Sequence, residues 1–185
     1  MSNRPVSRAT YEDVLTAPDD KIAEIAAGEL YLTPRPAARH ARIASALTSD
    51  LHDAFDHGRS GPGGWWVLFE PELHLDGNVL VPDIAAWRRS RMASLPDAAW
   101  FDIPPDWVCE ILSASTEVFD RRRKLPLYAA AGIPHLWIVD PEAQRLEAYS
   151  GDRGGWVRSG TFAGAATISA EPFDAIAIAL GRLWA

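Results

Sequence analysis

Two acidic residues interrupt short runs that are otherwise apolar, and they constrain the fold more than any other feature of the chain. Asp83 follows Val79-Leu80-Val81-Pro82 and precedes Ile84-Ala85-Ala86-Trp87, and Glu110 lies inside Trp107-Val108-Cys109-Glu110-Ile111-Leu112. An ionised carboxylate in an apolar strand is costly unless something neutralises it. A single acid of this kind could be served by a salt bridge or by backbone donors. Two, on strands that can be sheet neighbours, favour a shared cation. Hard divalent ions such as Mg²⁺ choose carboxylate oxygens and keep several waters. A water held there is a better nucleophile, and the ion offsets charge developing on a phosphoryl oxygen.

The pattern around these runs predicts the remaining elements. Thr10-Tyr11-Glu12-Asp13 has the form of a capping box and opens a short helix that stops before Pro18. Residues 22–33 read as a hairpin turning near Ala27-Gly28. Apolar positions Ile43, Ala44, Leu47, Leu51, Ala54 and Phe55 give one face of a helix over 38–56. A glycine-rich loop, 58–64, leads to strands over 65–75 and 79–87, joined around Asp76-Gly77-Asn78. A strand over 107–113 precedes a helix over 118–131, which Gly132 and Pro134 terminate. Strands follow over 135–140 and 144–149, meeting at Asp140-Pro141, with strand-like pieces near 155–162 and 166–169. A turn at Pro172 and an apolar segment, 175–184, close the chain. The expected class is α/β (α+β): one domain over 1–185, a mixed sheet flanked by helices, with 1–20 as an N-terminal helical extension.

Composition narrows the function. With 185 residues, 48% of them hydrophobic and 23% charged, the chain can bury one sizeable core. No apolar run approaches the roughly 18 residues that a membrane helix needs. Met1 to Thr10 is polar, carries Arg4 and Arg8, and does not read as a signal peptide, so the expected compartment is the cytoplasm. Cys109 is the one cysteine, which excludes a disulfide framework or a cysteine-built zinc site within one chain. The net charge of −7 and pI near 5.2 work against a nucleic-acid partner. A metal site, however, concentrates acids and brings its own positive charge. The basic residues are also grouped, as Arg88, Arg89 and Arg91 and as Arg121, Arg122, Arg123 and Lys124. These groups read equally well as phosphate contacts or as solvated faces.

An ordered set of motifs carries a resemblance. Pro82-Asp83, Glu110-Ile111-Leu112-Ser113, Asp120 with Lys124, Tyr128, Ala131-Gly132-Ile133-Pro134 and Trp137-Ile138-Val139-Asp140-Pro141 resemble the Uma-two family of the PD-(D/E)XK nuclease superfamily. The resemblance runs from about Glu24 to Pro141. It implies a restriction-endonuclease-like fold and metal-dependent cleavage of phosphodiesters, with DNA ahead of RNA as substrate and a homodimer as one arrangement. It also implies that Asp83 and Glu110 bind Mg²⁺ or Mn²⁺, with the main-chain carbonyl of Ile111 completing the shell. The superfamily's lysine belongs two positions after the second acid, where this chain has Leu112. The family resembled supplies its lysine from the following helix, and the matching residue is Lys124, expected to orient or activate the attacking water.

Several readings stay open. Lys124 could instead pair with Asp120 at i,i+4 spacing. Of two further acids, Glu70 is preferred to Glu72 as an added metal ligand. The hairpin would put Glu72 opposite Asp83 with a two-residue turn, or Pro71 opposite it with a three-residue loop. His40 either lines the cleft or is structural, Tyr128 is expected to pack, and Trp65 and Trp66 serve as core or as stacking surface. Ser113, Ser115 and Thr116 form a polar loop. The rival to an enzyme is a nuclease-like domain that binds nucleic acid or protein without cutting; a third reading is another hydrolase using the same carboxylates.

Overall fold

The computed structural model describes residues 8–185; Arg4 and the rest of the first seven positions lie outside the described residues. A short helix α1 (Tyr11–Leu15) comes first, its capping box closed by Asp13, which accepts from the Thr10 amide at 2.7 Å and the Thr10 hydroxyl at 2.8 Å. Strands β1 (Lys21–Ala26) and β2 (Glu29–Pro34) form the expected hairpin. Ala27 and Gly28 both have positive φ, as a two-residue turn of this hand requires. Helix α2 (Ala38–Leu51) runs on through a turn of π-helix at His52–Asp56. The strands that follow are β3 (Trp65–Phe69), β4 (Leu73–Leu75), β5 (Asn78–Leu80), β6 (Ile84–Arg88) and β7 (Trp107–Ile111).

One helical stretch crosses from β7 to β8 (His135–Asp140). It begins as α3 (Glu117–Phe119), widens into a π-turn at Asp120–Lys124, and continues as α4 (Leu125–Ala130). The chain then forms β9 (Arg145–Asp152), β10 (Gly155–Ala163), β11 (Thr167–Ile168), β12 (Ile178–Ala179) and α5 (Gly181–Trp184). The main sheet has six strands in the order β10-β9-β8-β7-β6-β3, and within it β7 and β8 are the parallel pair. A second sheet has the order β2-β1-β5-β4, and β11 pairs with β12. This is the mixed sheet with flanking helices that the sequence predicted.

The segment 65–87 departs from expectation. It forms four strands, not two, and the ribbon leaves one sheet to join the other: β3 and β6 pair in the main sheet, β4 and β5 in the smaller. Pro71 and Pro82 sit at the break, where a residue without an N–H cannot extend a ladder. The turn is Asp76-Gly77, both with positive φ, and Leu75 faces Asn78. Both earlier registers therefore give way to one in which Glu70 falls opposite Asp83, and the Glu70 amide donates to the Asp83 carbonyl at 3.0 Å.

The main sheet separates two cores. On one face α2 and the C-terminal segment cover Trp65, Val67, Ile84, Trp107 and Trp137. On the other, Tyr128 of α4 packs over Trp87, Val108 and Ile138. Phe173 is fully buried in the first core, with ring centroids 4.6–5.7 Å from Phe55, Trp65, Trp107 and Trp137. Trp65 and Trp66 thus belong to packing; their outer faces carry Arg88 and Arg89, at 4.4 and 3.9 Å. Phe173→Ala should cost about 3–5 kcal/mol, the usual range for emptying a large buried aromatic. Urea unfolding followed by tryptophan fluorescence would read this as a lower midpoint with an unchanged slope.

Candidate functional site

The pairing of β6 with β7 fixes the geometry of the two strand acids. Ile84 faces Cys109 and Ala85 faces Val108, so the next step of the same register places Asp83 opposite Glu110. Directly opposed residues share a face. The two carboxylates accordingly line one pocket of ≈ 170 Å³. Asp83 is fixed from two sides: its Oδ2 accepts from the Ile111 amide at 2.6 Å, and its Oδ1 lies 3.1 Å from His40 Nε2. In an extended strand the N–H and C=O of one residue point the same way. The Ile111 carbonyl is thus turned towards Asp83 and His40. It acts with Asp83 to favour the protonated imidazole, and together they outweigh the opposing effect of burial on His40.

Lys124 arrives from the π-turn and is buried, with 3% of its side chain exposed. Its Nζ lies 2.9 Å from Glu110 Oε1, 3.1 Å from Glu24 Oε1 and 2.8 Å from the Val81 carbonyl. Asp120 is the most distant of its acidic partners, at 3.9 Å. The i,i+4 pairing therefore exists, but only as the outer part of a larger cluster. Tyr128, expected only to pack, donates its hydroxyl to the same Glu110 oxygen at 2.6 Å. Glu24 also accepts from the Val81 amide at 2.8 Å, which secures the smaller sheet to the site. Glu24 went unnoticed as a functional position. Its signal was one acid in the apolar alternation of β1, which any solvent-facing strand can show.

The charges do not balance. Burial pushes the Glu110 carboxyl well above its ordinary range; Lys124 opposes this, and Asp120, Asp83 and Glu24 reinforce it. Burial likewise raises Asp120 to about 6 against the pull of Lys124. Burial also disfavours the Lys124 ammonium, but Glu110 and Glu24 overcome it and hold the amine charged. Four acids, Glu24, Asp83, Glu110 and Asp120, thus line the pocket with three bases, Lys124, His40 and Arg35. The excess is negative, and a proton or another cation offsets it.

The other candidates fall into place around this centre. Glu70 has φ of +45°, which turns its side chain into an adjoining pocket of ≈ 290 Å³ that it shares with Arg35. Burial and Asp83 raise its carboxyl, and Arg35 lowers it. Glu72 is bound to the Tyr11 hydroxyl at 2.8 Å and to His74 at 2.7 Å. Ser113, Ser115 and Thr116 border the main pocket, and the Ser113 hydroxyl lies 2.9 and 3.0 Å from the other two. Leu112 is buried in the second core. The basic groups are largely paired: Arg89 with Asp56, Arg91 with Asp106, Arg121 with Glu147 and Arg123 with Glu29. Their clustering in sequence therefore does not amount to a free basic surface.

Whether these residues suit a divalent cation turns on their chemistry. Among the described residues, no three His, Cys, Asp or Glu side chains stand as a ready-made metal cage. The oxygen donors nevertheless match a hard ion: two carboxylates on one face, a main-chain carbonyl turned the same way, and a surplus of negative charge. Asp83 and Glu110, with Ile111, are the groups that would hold it.

Comparison with known proteins agrees with this reading of the fold. No curated protein matches the sequence significantly. A solved structure described as "a putative nuclease belonging to DUF820" from Anabaena variabilis ATCC 29413 superposes with a TM-score of 0.77, covering 95% of this chain and 97% of that one at 21% identity. At that identity the likeness shows a shared fold and nothing more. The sequence profile described as "Uma2: Putative restriction endonuclease" matches residues 8–181, and the chain belongs to that family.

Proposed function

We propose that the chain is a metal-dependent endonuclease that hydrolyses phosphodiester bonds in nucleic acid, with DNA as the first candidate substrate. The observation that carries this reading is the placement of Asp83 opposite Glu110, with the Lys124 ammonium 2.9 Å from Glu110 in the same pocket. Membership of the family described as "Putative restriction endonuclease" supports it. Mg²⁺ or Mn²⁺, held by Asp83, Glu110 and the Ile111 carbonyl, would supply an activated water and neutralise charge on the phosphoryl oxygens.

The protein's own groups prepare the place for that chemistry. The Ile111 amide and His40 fix the two oxygens of Asp83. Tyr128 and Lys124 both act on Oε1 of Glu110 and so set the orientation of its carboxylate. An ammonium has three N–H donors, and Lys124 meets the Val81 carbonyl, Glu24 and Glu110. Lys124 is in the first place a positioning residue, and contact with the attacking water requires one of these bonds to open. That commitment also favours the second reading, in which the domain binds nucleic acid without cutting it.

The two readings separate on metal-dependent cleavage of single- and double-stranded DNA and RNA. The parent should cut with Mg²⁺ or Mn²⁺ and stop with EDTA. Asp83→Asn, which keeps an acceptor for the Ile111 amide, should stay folded and lose roughly 100-fold or more in rate. A folded parent that cuts nothing with either ion leaves the binding domain as the surviving reading.

Lys124→Ala should cost about 3–5 kcal/mol in stability, because it leaves buried carboxylates without their cation. Divalent ions should restore part of that loss in thermal unfolding, whereas Asp83→Asn combined with Lys124→Ala should show little restoration. Equal melting temperatures for the parent and Lys124→Ala would contradict the buried charge cluster.

A further inference from the structure

A second cavity lies on the α2 face of the sheet and takes no part in the chemistry above. It measures ≈ 500 Å³ and is bounded by the middle of α2, the loop after it and the end of β3. Phe69 forms part of its wall and leaves 49% of its surface exposed. His52 and His57 stand across it, edge to face, with ring centroids 5.7 Å apart. His52 Nε2 is 2.6 Å from the Val67 carbonyl. A carbonyl can only accept, so this nitrogen carries the proton and the neutral ring keeps Nδ1 as an acceptor. Thr48 lines the same space, with its hydroxyl itself buried and without a hydrogen-bond partner. Arg59 and Asp53 complete the rim, and neither forms an ion pair among the described residues.

The position of this cavity connects it to the site. Phe69 pairs with Ile84, the residue after Asp83, across one strand spacing of about 4.8 Å, so it lies on the α2 face of the sheet, opposite to the face of Glu110, and a substrate reaching both spaces passes over the end of the sheet beside α2. Helix α2 borders both spaces: His40 in its first turn reaches Asp83, and Thr48 lies eight residues on, roughly 12 Å along the axis. That distance corresponds to three or four base rises of about 3.4 Å each. A half-exposed aromatic face offers stacking that any base can accept. The His52 Nδ1 and the Asp53 carboxylate offer hydrogen bonds to a base edge, and Arg59 offers charge for a phosphate. A paired base cannot present its face to Phe69 without leaving its stack.

We infer that this cavity is a subsite for an unpaired nucleobase of the substrate, stacked on Phe69 a few nucleotides from the phosphodiester at Asp83 and Glu110. The inference rests on the nuclease reading for its place in a longer substrate, but the subsite is testable without cleavage. The probe is a short single-stranded DNA oligonucleotide carrying 2-aminopurine, whose fluorescence falls on stacking, titrated with the full chain in EDTA. Saturable quenching is expected, with affinity falling on the order of tenfold in Phe69→Ala and recovering in Phe69→Trp. The same probe annealed to a complement should bind more weakly. No saturable quenching, equal affinity in Phe69→Ala, or equal quenching by the duplex each overturns the inference. A subsite that passes in a protein that cuts nothing would leave this inference standing and remove the nuclease reading. Cleavage without the subsite would do the reverse.

Discussion

The buried ammonium of Lys124 is the interaction on which the arrangement depends. It joins β1 through Glu24, β7 through Glu110, the link from β5 to β6 through the Val81 carbonyl, and its own helix through Asp120. Both sheets and the helix between β7 and β8 therefore meet on one positive charge. A charge removed from water to this degree is tolerated only when its partners are near and well oriented. The partners in turn could not remain buried without it. The same contact thus holds the two sheets together and determines where the Glu110 carboxylate lies.

This cluster accounts for a feature of composition that argued against the function. A pI near 5.2 looks wrong for a protein that handles nucleic acid. Yet the grouped arginines are mostly taken up by Asp56, Asp106, Glu147 and Glu29, so they add little free positive charge. The pocket holds four acids, one more than Lys124, His40 and Arg35 can balance. A divalent ion on Asp83 and Glu110 would make the region less negative where the proposed reaction would bring a phosphate. Overall charge and local charge are separate questions here, and the second governs the site.

The fold was legible wherever local chemistry repeats. Ala27-Gly28, Asp76-Gly77 and Gly132 announce turns and a helix end, and α2 follows from its apolar spacing. Asp83 and Glu110 stood out because an acid in an apolar strand needs a reason. Other parts were hidden because they depend on register and on distant contacts. The exchange of the 65–87 ribbon between two sheets follows from Pro71 and Pro82, but a proline alone does not say which sheet receives the next strand. Glu24 and Tyr128 reach the site from elements far apart in sequence, and neither carries a local mark of that role. His40 was recognised as a candidate, but its bond to Asp83 needed the folded helix.

The placement of Lys124 has a physical explanation in the helix that carries it. Position 112, where the wider superfamily pattern has its lysine, is occupied by Leu112 in the core beneath Tyr128. The ammonium found at this cluster comes from another element: Lys124 lies in a π-turn. Pro126, just after that turn, clashes with a carbonyl four residues back in a regular α-helix, and widening the preceding turn relieves the clash. A step of four residues overshoots a full α-helical turn by about 40°, whereas in the wider π-turn it falls short of one. The two errors offset. Asp120, Lys124 and Tyr128, each four apart, therefore stay on one buried face that looks towards Glu110. The proline that seemed only to mark a helix start or a kink thus helps to aim three side chains at the site.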